Sequence, residues 1–508
     1  MSSHPHTESA IASTTSSSRP GFWLLASLLV AMVLAALDQS IVATALPVIA
    51  SEMKGIEGMS WVVTLFMLTS TIGAPLYGKL SDLYGKRPLF LLSIGVFVGA
   101  SLLCGLANSM GQLIAFRGLQ GLGAGGLMTL SQVVIGSVVK PSERGRYQGL
   151  FSAAFAVSAA AGPLLGGFIT TQFSWRWVFL INIPLGALAI AGLMINLPAI
   201  KRRPDVKVDY RGAAVLCVAT SALLLLTHSF SQAGQVDPLA TWGLGLLAVV
   251  GFAVLYKVEH KAPEPIIDPR LFANRRFSVA VAAMAAMAFA MMGSLVFMPL
   301  YYQAVLHQTP TESGIMTLPQ VVMMVVSSFI GGAISTRRQN HATLLLLGVG
   351  LEALGLFLLL IFARHQLGAP YFLLAMGVLG SGMGIGMPNA TVIVQNAVDL
   401  KVMGAATAGL SFCRSLGAAL GVAVAGGIMS YTLRHELAQL PAALQGMSLT
   451  LPQGIGSAVQ SGTDVAQLTE LYRTAISASL LAGGAVMTVA WLLVLWLVLG
   501  KKPRSEQS

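Results

Sequence analysis

Three of the ionisable side chains inside long apolar runs have most capacity for chemistry. Asp38 lies in Leu37-Asp38-Gln39-Ser40-Ile41, Arg117 in Phe116-Arg117-Gly118-Leu119, and Glu352 in Gly350-Leu351-Glu352-Ala353. A carboxylate held at such depth is a group that takes up and releases protons. A guanidinium there needs a counter-charge or water, so Arg117 should face protein rather than lipid, and it is the cation best placed to meet Asp38. The pattern suits proton handling, although the same pair also reads as a plain structural salt bridge. Glu352 reads either as a second titrating or cation-binding acid or as a carboxylate satisfied by a polar neighbouring helix. Bond-making chemistry has no comparable signal. No HExxH pair occurs, and Gly78-Lys79, Gly85-Lys86 and Gly500-Lys501 are followed by Leu, Arg and Lys, so there is no phosphate-binding GxxxxGK[ST] loop. Cys104, Cys217 and Cys413 are far apart in apolar stretches and read as small buried hydrophobes. The sequence calls for no cofactor and no metal.

Groups buried in this way need a scaffold that holds them at depth, and composition indicates which. Of 508 residues, 55% are hydrophobic and 10% charged, whereas about a quarter are charged in soluble globular chains. Such a chain cannot cover its apolar surface, which excludes a soluble enzyme, a disordered scaffold and a disulfide-stapled secreted domain. The net charge of +11 sits in short clusters between apolar runs without interleaved aromatics, so no nucleic-acid partner is expected. Crossing a bilayer takes about 20 mainly apolar residues. Fourteen such runs fall at 22–47, 59–77, 89–107, 111–138, 147–171, 177–197, 212–230, 239–257, 277–304, 313–335, 342–362, 370–397, 404–431 and 474–499. The first is too long for a signal-peptide core and counts as a span.

Placing the N-terminus in the cytoplasm puts 23 of the 30 Lys and Arg in inside segments and five outside, with Arg117 and Arg414 within spans. That bias predicts a multi-pass protein of the cytoplasmic (inner) membrane with both termini cytoplasmic. The expected fold class is an all-α integral membrane protein of fourteen transmembrane helices. Its six-helix halves would be 22–197 and 277–499, separated by an inserted helix pair in 198–276, with cytoplasmic tails at 1–21 and 500–508. Residues 258–276, with Pro263, Pro265 and Pro269, read as a cytoplasmic linker with a short amphipathic element near Leu271 and Phe272. Residues 432–473 read as a long, partly ordered external loop. Duplication is faint: Gly145, Gly162 and Gly167 recur 259 residues later as Gly404, Gly421 and Gly426, and transporters are often built from repeats.

Four motifs carry more. Between the second and third spans runs Gly78-Lys79-Leu80-Ser81-Asp82-Leu83-Tyr84-Gly85-Lys86-Arg87-Pro88, read as a tight loop with glycines at its turns. The first span holds Leu37-Asp38-Gln39-Ser40-Ile41-Val42-Ala43-Thr44-Ala45-Leu46-Pro47, the fourth Arg117-Gly118-Leu119-Gln120-Gly121, and the fifth Ser158-Ala159-Ala160-Ala161-Gly162-Pro163-Leu164-Leu165-Gly166-Gly167. Together they resemble the major facilitator superfamily, and within it the fourteen-helix drug:proton antiporters of multidrug efflux. Trp175 to Pro184, Gln395-Asn396-Ala397 and Phe412 to Gly417 extend the resemblance over nearly the whole chain. Departures are Ser40 for the usual Thr, Ala43 for a frequent Asn, Ser158 for the first glycine, and a decayed second copy of the loop at Ser335-Thr336-Arg337-Arg338-Gln339.

The resemblance implies that Asp38, Arg117 and Gln120 serve proton coupling. It also implies that Gly78, Asp82, Gly85, Lys86 and Arg87 form a conformational latch, with Asp82 meeting Arg87 and the positive N-terminal end of a helix from the other half. Gly162, Pro163, Gly166 and Gly167 would form the antiporter motif, permitting close helix contact and bending the fifth span at the proline. The implied activity is proton-coupled export of hydrophobic or amphipathic drugs and toxic compounds, not enzymatic. Its partners would be such small substrates, protons and membrane lipid, with a periplasmic adaptor protein left open. Export of one endogenous metabolite, lipid or antibiotic by the same mechanism is the alternative. Methionines 284, 287, 291, 292, 298, 316, 323 and 324 cluster in the ninth and tenth spans, either for helix packing or as a flexible lining for varied apolar shapes.

Overall fold

The computed structural model describes residues 21–54, 58–198, 209–231, 238–437 and 465–500. Regular structure among these is helical throughout: α1 (Phe22–Glu52), α2 (Met59–Tyr84), α3 (Lys86–Gly105), α4 (Met110–Val138), α5 (Arg144–Gln172), α6 (Arg176–Leu180), α7 (Asn182–Asn196), α8 (Tyr210–Ser231), α9 (Pro238–Lys261), α10 (Arg275–Ala304), α11 (Pro310–Arg338), α12 (His341–Arg364), α13 (Ala369–Asn396), α14 (Met403–Leu437) and α15 (Val465–Leu499), with 3-10 turns at Pro269–Ala273 and Leu400–Val402. Fourteen spans among the described residues are long and apolar enough to cross a membrane, α6 and α7 together making one. Helices are what the solvent demands, since every backbone N–H and C=O must be satisfied within its own segment where water is absent.

The sixth span stands as expected: α6 and α7 make one span over Arg176–Asn196, joined through Ile181, whose backbone angles stay helical, with Pro184 in the first turn of α7. Two other expectations need correction. Gly78 marks no turn: α2 stays helical to Tyr84, and the reversal falls on Gly85 alone, whose φ of 92° disfavours any residue with a Cβ. Helix also extends into the expected external loop, since α14 runs to Leu437 and α15 starts at Val465. The rest of that loop, 438–464, lies outside the described residues, as do 1–20, 199–208 and 501–508.

Close packing here depends on small residues, because lipid offers helices no hydrophobic incentive to associate. α5 lies between α1 and α11, and α14 between α10 and α2. A Cβ added at Gly162 would strike Ser40 of α1, and one at Gly421 the backbone of Phe289 in α10. Gly162 and Gly421 thus sit at matching close approaches, as do Gly145 and Gly404, whereas Gly167 and Gly426 at the same spacing do not. One apolar core is drawn chiefly from α10–α15, and two others from α1–α7. The pair α8 and α9 joins them through Leu216 and Leu255, which pack with Ile266 of the linker and Phe412 of α14. Glu259 folds that linker back, accepting from the backbone N–H groups of Ile266 (2.6 Å) and Ile267 (3.2 Å). Glu264 then pairs with Lys79 of α2 at 2.5 Å.

Candidate functional site

Asp38 and Arg117 meet. Arg117 Nη1 donates to Asp38 Oδ2 at 2.5 Å, and both side chains are shut off from solvent. The other carboxylate oxygen, Oδ1, accepts from Gln120 Nε2 and from Asn182 Nδ2, each at 2.8 Å. Ser101 Oγ accepts from the same two amides, at 2.7 Å and 3.2 Å, and Arg117 Nη1 reaches Gln120 Oε1 at 2.7 Å. Four helices therefore converge on one carboxylate: α1 brings Asp38, α3 Ser101, α4 Arg117 and Gln120, and α7 Asn182. The spacing of Arg117 and Gln120 places both on one helix face. Asn182 is the first residue of α7, and its side chain is buried.

This network does not open directly into the protein's main cavity. The Arg117 guanidinium lies 3.9 Å from the centre of the Phe66 ring, and Phe66 is part of the cavity wall. That cavity lies between the two sets of helices, walled by side chains of α1, α2, α4, α5, α10, α11, α13 and α14. Of the clustered methionines, Met284, Met291, Met292 and Met324 reach it, whereas Met287 and Met298 are buried in helix packing. The alternatives left open for that cluster are thus both realised, residue by residue.

At one end of the bundle the two sets of helices are clasped. Asp82 accepts from the first backbone N–H groups of α14, Gly404 at 3.0 Å and Ala405 at 2.9 Å. A carboxylate is well matched to the positive end of a helix dipole, and Lys86 adds a positive charge nearby. Gly78 has no Cβ where Ala408 and the Gly404 carbonyl approach. Arg87 is placed otherwise than the resemblance implied: it donates to the Met194 carbonyl at 2.7 Å, and no ion pair joins it to Asp82 among the described residues. Nearby, Arg144 of α5 donates to the Gln395 carbonyl (2.9 Å) and Asn396 Oδ1 (2.6 Å) of α13, and Gln395 Nε2 donates to the Gln132 carbonyl at 3.0 Å. Among the described residues, the hydrogen bonds between α1–α7 and α10–α15 all fall at this end.

In the antiporter motif Gly162 and Gly166 press on Ser40, Ile41 and Thr44 of α1, while Gly167 has open space and Pro163 is exposed. The two serine departures sit together: Ser40 Oγ donates to the Ser158 carbonyl at 3.2 Å. Glu352 stands apart. It is buried in the middle of α12, and neither carboxylate oxygen has a partner, so no polar neighbour satisfies it.

A buried ionisable network, a central cavity between two sets of helices and a clasp at one end are features that suit a membrane transporter. The chain belongs to the major facilitator superfamily, whose model, described as Major Facilitator Superfamily, matches residues 28–422. It is 32% identical over 470 residues to the "Multidrug transporter protein MdtP" of Bacillus subtilis (strain 168), covering 89% of this chain and 86% of that one. "Multidrug resistance protein 3" of the same organism is 32% identical over 428 residues, 84% of this chain and 82% of its own. The crystal structure of the human organic anion transporter MFSD10 (TETRAN) matches with a TM-score of 0.63 at 15% identity, over 94% of this chain and 100% of that one. That likeness bears on the fold alone.

Proposed function

We propose that the chain is a proton-coupled antiporter that exports apolar or amphipathic compounds across the cytoplasmic membrane. On this reading 22–197 and 277–499 rock as two halves, with 198–276 as an inserted pair. Positive loops inside make the clasped end cytoplasmic, so the conformation is outward-facing. The observation that carries the proposal is the placement of Asp38 and Arg117 behind Phe66. A proton arriving on Oδ2 neutralises the carboxylate that Arg117 meets at 2.5 Å and removes the charge that strengthens that bond. Protonation therefore loosens the guanidinium, which disturbs the ring it rests on and with it the cavity wall. Gln120 and Asn182 keep Oδ1 in place while Oδ2 changes partner. Names of relatives such as "Multidrug transporter protein MdtP" favour drug export over a single endogenous substrate, as do eight methionines in the cavity wall.

The test is transport in proteoliposomes. An imposed pH gradient should drive a labelled apolar compound against its own gradient, and a protonophore should abolish this. Accumulation that survives the protonophore would overturn the coupling. Movement of chemically unrelated dyes separates a multidrug exporter from a dedicated one.

A further inference from the structure

The central cavity contains one formal charge. Among the residues that wall it, Arg414 of α14 is the only ionisable side chain, and no carboxylate, lysine or histidine joins it. Arg414 lies eleven residues into α14, about 16 Å along its axis at 1.5 Å per residue, roughly half the hydrocarbon thickness. Its guanidinium has no hydrogen bond or ion pair among the described residues, and the nearest aromatic face is Phe155 at 5.9 Å. The two guanidinium groups of the spans thus differ. Arg117 is spent on Asp38, whereas Arg414 is uncommitted and faces open space. The rest of the wall is apolar, mainly methionine and phenylalanine with Ala288, Pro388 and Ala418, or neutral amide and hydroxyl, such as Gln39 and Thr391. An unpaired cation at that depth is costly unless hydrated or matched by an anion, and in a confined apolar chamber it repels other cations strongly.

We propose that Arg414 is the recognition point for an anionic head group, so that the compounds this cavity takes are amphipathic organic anions bearing a carboxylate on an apolar body. The planar guanidinium fork fits a carboxylate with two parallel N–H···O bonds, and the methionines accommodate the body without fixing its shape. This deepens the export reading above and rests on it for the direction of transport, but not for binding.

The experiment compares three probes on the purified full chain in nanodiscs: 11-(dansylamino)undecanoate, its methyl ester and ethidium. The wild type should bind the carboxylate at least tenfold more tightly than the ester, with ethidium weaker than both. Arg414→Gln should remove the carboxylate preference and leave ester affinity within twofold, which also certifies that the variant is folded; Arg414→Lys should restore part of the preference. Equal affinity for carboxylate and ester in the wild type, a preference for ethidium, or a preference that survives in Arg414→Gln would each overturn the proposal. Should Arg414→Gln fail to fold, the wild-type ranking still decides. If the carboxylate binds selectively but is not moved by a pH gradient in proteoliposomes, the export reading fails while this one stands.

Discussion

Gly123 of α4 and Gly382 of α13, 259 residues apart, do the same work. Each lacks a Cβ where a backbone N–H from a neighbouring helix approaches, that of Phe97 in α3 for one and of Glu352 in α12 for the other. A fully buried phenylalanine in one half is thus replaced by a fully buried acid in the other. The same spacing carries Arg117 and Gln120 onto Met376 and Leu379, both buried and apolar. The clasp shows a parallel contrast. Gly404 meets the Asp82 carboxylate, whereas Gly145 meets the Ser335 hydroxyl, and Ser335 turns to Asn389 and His341 of its own half, each at 2.8 Å. Matching backbones therefore hold unlike chemistry. An acid among converging donors has its charge compensated, while an acid with none carries an uncompensated cost whenever it ionises.

The largest expected effect lies on the side with partners. Asp38→Asn keeps the size of the side chain and removes the exchangeable proton. Uphill export driven by a pH gradient should fall to background, while substrate binding stays within about twofold, because Asp38 is walled off from the cavity by Phe66. Tracer uptake against binding, measured on the same reconstituted protein, checks both. Arg117→Lys should retain a fraction, about a tenth of the uphill rate, since a lysine keeps the charge but gives up the flat guanidinium that rests on the Phe66 ring.

How far these sites were legible in the sequence depended on whether their signal was local. Apolar run length is a one-dimensional property, so fourteen spans could be counted, and Asp38 and Arg117 stood out because a charge in such a run is conspicuous. Ser101 and Asn182 did not, because neutral polar residues are common in spans and their convergence on Asp38 exists only in the packed bundle. Arg144, Gln148 and Gln395 clasp spans distant in sequence, and nothing in either segment announces the other. Arg414 was visible as a charge within a span, but its lack of a partner was not.

An intermediate effect is expected at the clasp, where the halves differ by one carboxylate. Asp82→Asn leaves an acceptor for one of the two α14 N–H groups and removes the negative charge. Helix caps and dipole interactions are each worth about 1 kcal/mol, a shift of roughly fivefold in the balance between clasped and open states. Transport should slow by about that factor, with binding unchanged, and cysteine accessibility on the clasped side should rise. A companion Ser335→Ala variant should slow transport less, since that hydroxyl bonds within its own half. Equal effects from the two would mean that the charge difference between the clasps is immaterial.

The smallest effect is expected at Glu352, and it bears most directly on whether the two halves divide the labour. Glu352→Met replaces the acid with an apolar side chain of similar length among Val349, Ala353, Leu379 and Met383, all in the same core. Two buried oxygens without partners disappear, which should stabilise the fold by about 1–3 kcal/mol and raise the melting temperature in detergent. Uphill export should stay within about twofold of the wild type at every imposed pH gradient. The two readouts separate the cases, because a residue that only burdens the core changes stability and not coupling. If Glu352→Met folds, melts higher and yet loses pH-driven accumulation while still binding substrate, the lone acid takes part in proton movement. The partnerless half would then carry a second coupling site, and the contrast drawn from Gly123 and Gly382 would be one of mechanism rather than of idle and active chemistry.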